Sequence, residues 1–159
     1  MTKEELIATA QRIEQPPLNA AQEYAEKREM LASEMNRIMG ARPDLELLIG
    51  KGNRSMMEDN HRNHARFLES LFFAYNPEVL VETVLWVFRA YRSHGFQLTY
   101  WPAQLDTWVE ISKRELQAEA YSAIYPFYHW MIIHQPAFVS LSDRMITGST
   151  APSNEVPGT

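Results

Sequence analysis

The chain has 159 residues, 45% of them hydrophobic and 22% charged, with a net charge of −5 and no cysteine. That length suits one domain, and a domain of this size buries roughly 70% of its unfolded surface without covalent staples. The lack of cysteine excludes a disulfide framework, an iron–sulfur cluster, a cysteine zinc site and a thiol nucleophile.

The charge is spread rather than blocked. Residues 1–52 carry seven basic and nine acidic groups, 53–95 five and five, and 96–159 three and six. Tracking a phosphate backbone needs clustered Lys and Arg, so nucleic acid is not an expected partner. Met1-Thr2-Lys3-Glu4-Glu5 lacks the basic-then-apolar layout of a signal peptide. The longest apolar run, Val79 to Ala90, is broken by Glu82 and Arg89 and is too short to span a bilayer. A cytoplasmic protein with no membrane segment is expected.

Several prolines stand where helices would start and the glycines where they would stop, and period-2 alternation is absent, so the fold class expected is all-α. Residues 3–14 read as a short amphipathic helix stopped by Gln15-Pro16-Pro17. Asn19 is the candidate cap of a helix ending at Gly40, its outer face supported by the Glu23 and Lys27 pair. A short helix over 44–49 follows Pro43. The next helix, 54–75, can be wound at about 100° per residue. With His64 at the centre of its apolar stripe, Met57, Asn60, Phe67, Leu68, Leu71 and Tyr75 fall within roughly 60° of it. His61 stands to one side, and Glu58, Asp59, Arg62 and Arg66 face away. Asn76-Pro77-Glu78 starts a helix running to about Ser93, apolar nearly all round, as expected of a central or covered helix. The stretch Asn53 to Gly95 is therefore the expected organising element. Pro102 is expected to open a sixth helix with Leu105, Trp108, Val109, Ser112 and Leu116 inward. A last helix covers 118–134, with Pro126 inside it and Pro136 after it. A short turn follows to Leu141. Residues 1–145 are expected to form one helical bundle of about six to seven helices, and 146–159, rich in Ser, Thr, Pro and Gly, a disordered tail.

Inward polar chemistry is concentrated in Asn60-His61-Arg62-Asn63-His64. Both histidines could reach one ligand, or be buried and bonded to neighbouring helices. Seventeen of the eighteen aromatic residues follow residue 66. Such stripes either fill a core or line an apolar cavity with a few polar groups. The ligand-contact set expected is Asn60, His61, His64, Tyr91 and His94. Trp86, flanked by Glu82 and Arg89, is the candidate interface anchor, since Trp and Arg are enriched at hot spots, against a Trp packed beneath the N-terminal helices. Glu58-x-x-His61 lacks the second unit of a di-iron bundle, Gly50-Lys51-Gly52 lacks the remainder of a phosphate loop, and no nucleophile elbow or carboxylate pair is visible. No enzymatic activity is expected.

The succession of a pre-helix, Asn60-His61-Arg62-Asn63-His64, the Asn76-Pro77 turn and the aromatic C-terminal helices resembles the globin-like sensor domains of bacteria over about residues 19–142. These include haem globin-coupled sensors and the non-haem domains of stressosome proteins. The resemblance implies a dimeric ligand-sensing module that signals through a protein partner. The helix after the one bearing His64 offers only His94, at its end, where a haem globin has a mid-helix histidine. That favours a non-haem module with a small apolar or amphipathic ligand. A haem or metal protein using His64 or His61, and a helical adaptor with a filled core, are the alternatives.

Overall fold

Caps, glycine stops and 3.6-residue apolar spacing produce helices throughout residues 1–147, the part of the chain that the computed structural model describes, and no strand occurs among them. The helices are α1 (Lys3–Ala10), α2 (Leu18–Gly40), α3 (Leu45–Ile49), α4 (Arg54–Phe73), α5 (Pro77–Ser93), α6 (Tyr100–Glu115), α7 (Ala118–Ile133) and α8 (Gln135–Thr147). The all-α bundle expected from the sequence is the fold observed, with eight described helices in place of six to seven.

Local chemistry accounts for the boundaries. Thr2 Oγ1 accepts from Glu5 N at 3.1 Å and so caps α1. Asn76 Oδ1 accepts from the amides of Glu78 and Val79 at 3.0 and 3.2 Å, and Pro77 follows at the first helical position. Pro102 falls in the first turn of α6 rather than opening it, a place where a helical amide has no intrahelical partner to lose. Asn19 lies inside the first turn of α2, whose cap is Pro17.

Two ends differ from expectation for tertiary reasons. α1 stops at Ala10 because the chain must carry Gln15 to the end of α4. There Gln15 Nε2 donates to the Phe72 carbonyl, and Gln15 Oε1 accepts from Tyr75 N at 2.6 Å. The Tyr75 hydroxyl donates back to the Ala10 carbonyl at 2.6 Å. Beyond Pro136, α8 is a full helix to Thr147 instead of a short turn, because Phe138, Leu141 and Ser142 are buried. The expected tail lies outside the described residues from 148 onward.

The helices pack in two groups. α2 is the hub of the larger one and packs against α4, α6 and α7, with α6 also against α7. The long stem of Lys27 spans this group, its ammonium bridging Glu23 at 3.0 Å and the Glu115 carbonyl at 2.7 Å. The smaller group is α5, held between α1 and α8 and joined to the first through α7 and α8. The organising element is thus α2, not the α4–α5 pair. Its inward side is partly alanine (Ala20, Ala21, Ala32), which lets neighbouring helices approach closely while giving a weak hydrophobic signal in the sequence.

Candidate ligand site

α4 and α5 are joined by only three residues, 74–76, yet they belong to different groups and make little contact with one another. The gap between them is a cavity of about 530 Å³. Phe67 and Leu68 of α4, Val84, Val87 and Phe88 of α5, and Trp101 and Leu105 of α6 supply its apolar wall, closed by Met131 and Phe138. Asn63, Arg66 and Ser70, all exposed on α4, form the rim. Asn60 and His64 of α4 and Gln104 of α6 put polar groups into the wall.

Asn60 is the centre of one polar chain. Its Oδ1 accepts from the Tyr100 hydroxyl at 2.8 Å and from Gln104 Nε2 at 2.9 Å, which fills both lone pairs of a buried amide oxygen. Tyr100 also lies 3.2 Å from His61 Nε2, and His61 Nδ1 lies 2.6 Å from Asn36 Oδ1 on α2. A short contact from Nδ1 to an amide oxygen requires the proton on Nδ1, so Nε2 presents a lone pair. The single Tyr100 proton then has two acceptors, Asn60 and His61, and the shorter contact favours Asn60.

His64 starts a second chain. Its ring stacks on Trp108 with centroids 4.6 Å apart and planes 22° apart. Its Nε2 lies 3.2 Å from the Tyr128 hydroxyl, which is 3.4 Å from the Tyr24 hydroxyl on α2. Both chains therefore run from the cavity wall to α2.

Burial sets the protonation of the site. It pushes His61 down to about 3, assisted by the Arg62 cation, and His64 down to about 3, assisted by His61. Burial likewise raises the phenols of Tyr91 and Tyr100, and that of Tyr128 well above its ordinary value. At neutral pH the rings are uncharged hydrogen-bonding groups. Two buried polar atoms of lining residues have no partner among the described residues, Thr83 Oγ1 and Trp101 Nε1.

Of the expected contact set, Asn60, His64 and Tyr91 line the cavity. His61 does not; it is the most enclosed of the four, fully buried in the Tyr100–Asn36 link, and His64 keeps some exposure where it borders the cavity. His94 is exposed at the end of α5, where its amide donates to the Tyr91 carbonyl at 3.1 Å and its carbonyl accepts from Asn53 Nδ2 at 2.8 Å, its ring lying away from the cavity lining. Of the expected interface trio, Trp86 lines the cavity and Glu82 pairs with Lys3 of α1 at 3.0 Å; half-buried Arg89 has no ion pair among the described residues. Tyr100, Gln104 and Trp108 were not singled out as site residues, although their i, i+4, i+8 spacing places them on one face of α6. Arg66, read as an outward charge, stands at the rim. Asn36 and Tyr24 carry no signal in the sequence, since only the packing of α2 on α4 and α7 brings them to the histidines. Comparison with known protein families, characterised proteins and solved structures finds no match for this chain.

Proposed function

We propose that the chain is a small-molecule-sensing module of globin-like layout. It takes an apolar or amphipathic ligand between α4 and α5 without haem, and passes occupancy to a protein partner as a homodimer. The observation that carries the proposal is the cavity of about 530 Å³. Ligand pockets of roughly 300–1,000 Å³ with apolar walls and a few convergent polar groups are the usual form of a small-molecule site. The two chains to α2 supply a route for the signal. A ligand donor reaching Asn60 Oδ1 competes with Tyr100, whose proton then turns to His61, and His61 bears on Asn36 of α2. Imidazoles held neutral this far below pH 7 are poor general bases, and no carboxylate lines the cavity among the described residues, so the site is read as binding rather than transforming its ligand.

Haem fits these residues poorly. Among the described residues the cavity has one histidine, His64, with Nε2 engaged by Tyr128 and its ring stacked on Trp108, and α5 places no histidine opposite. A visible spectrum with a Soret band would restore the haem alternative. Native mass spectrometry tests the main proposal. A small molecule retained by the wild type and lost in Val84→Trp, which fills the cavity, is the expected result. A bare mass, together with Trp emission and melting temperature that do not respond to toluene or naphthalene, would leave a filled-core adaptor as the better account.

A further inference from the structure

The charge on the cavity lining is one-sided. Asp and Glu together number 20 in this chain of net charge −5, yet among the described residues none lines the cavity, and Arg66 is the one lining side chain that is ionised at neutral pH. Arg66 has no ion pair among the described residues. The acids nearest to it along α4 are already engaged, Glu69 by Arg28 at 2.6 Å and Asp59 by Arg62. Arg66 thus borders both the apolar cavity and the adjoining groove over α2, where Glu29 also lies, with no ion pair to either side among the described residues, and its guanidinium has the fork geometry that matches a carboxylate. Trp101 adds a second unspent donor, since it is buried and its indole N–H has no partner among the described residues. The walls that would hold the ligand body are rings: Phe67, Trp86, Phe88, Trp101 and Phe138. The volume is more than three times the roughly 150 Å³ that accommodates benzene in an apolar protein cavity.

Resting on the sensing proposal above, we infer that the ligand is an aromatic monoanion, its flat body between α4 and α5 and its carboxylate on Arg66. The test uses two probes of nearly the same shape, 2-naphthoate and the uncharged naphthalene-2-carboxamide, titrated calorimetrically into the full chain at pH 7. Naphthoate is expected to bind about fivefold tighter than the carboxamide, the upper end of what an exposed ion pair supplies. Arg66→Gln should lower naphthoate affinity to that of the carboxamide and leave the carboxamide unchanged. Arg66 is exposed and unpaired, so this variant keeps the fold, and an unchanged melting curve verifies it. Equal affinities in the wild type, or naphthoate binding indifferent to Arg66→Gln, would overturn the anion inference and leave the cavity as a site for neutral ligands. If neither probe binds, or if both bind as well to Val84→Trp, the cavity is not their site and both proposals fall.

Discussion

Acid should unfold this protein earlier than its carboxylates require, and His61 is the reason. The ring is fully buried, and its pKa falls from 6.5 to about 3. A base whose folded pKa lies below its unfolded value takes up its proton only when the chain opens. Stability is therefore complete above pH 6.5 and drains away as pH falls towards 3. The difference of about 3.5 pH units corresponds to about 5 kcal/mol at 1.36 kcal/mol per unit, and about 2 kcal/mol of it is gone by pH 5. Globular domains hold only about 5–15 kcal/mol in total, so that loss is easily measured. His64 acts in the same direction, with a smaller share because it borders the cavity, where water can meet the charge. Glu34 and Asp44, held down by Arg37 and by Arg42, lose their contribution only below the ordinary carboxylate range of 4.5 and 3.8. The window from pH 6.5 to 5 thus isolates the histidines. Urea unfolding followed by helical circular dichroism at pH 7, 6 and 5 should show the loss. His61→Gln, which keeps hydrogen-bonding capacity towards Asn36 and Tyr100 but cannot titrate, should reduce the slope by about 1.4 kcal/mol per pH unit near pH 5. Equal slopes in the two proteins would refute the argument, whatever the variant's stability at pH 7.

Asn60→Leu turns the Tyr100 proton to His61 but strands the buried Gln104 amide, and chemical denaturation should register a loss of about 1–3 kcal/mol. Tyr75→Phe removes only the bond to the Ala10 carbonyl and should cost about 1 kcal/mol in the same measurement. Gly50 has φ 85° and ψ 157°, a region open essentially to glycine alone, so Gly50→Ala should lower stability by about 1–3 kcal/mol. Gly40, at the end of α2, is the contrast. A methyl group there meets only the flexible end of the exposed Arg54 side chain, so Gly40→Ala should raise the melting temperature, with a gain of up to about 1 kcal/mol from helix propensity.

Helix identity was legible where punctuation is strong. Asn76-Pro77 placed the start of α5 to the residue, because the cap works through neighbours in sequence. The ends of α1 and α8 were not legible, because Gln15 answers to Phe72 and Tyr75, and Phe138 to Phe88 and Trp130, across the fold. The periodicity of α4 put Asn60 and His64 on the face that lines the cavity, but it could not show that His61, off the centre of the stripe, would be enclosed by Tyr100 and Asn36. For α5 the sequence sets Trp86 between Glu82 and Arg89. A helix apolar nearly all round leaves its absolute orientation open, and the packing of α1 settled it, with Lys3 on Glu82 and Trp86 in the cavity wall.

The position of α5 bears on how the protein opens. Its main supports, α1 and α8, are the first and last helices described, whereas α4, the facing wall, is anchored on α2. Amide exchange should therefore report two cooperative units, with α1, α5 and α8 losing protection together and ahead of α2, α4, α6 and α7. Because Gln135 and Phe138 of α8 belong to the cavity lining, loosening of α8 would open that wall together with α5 and leave the α4 side standing.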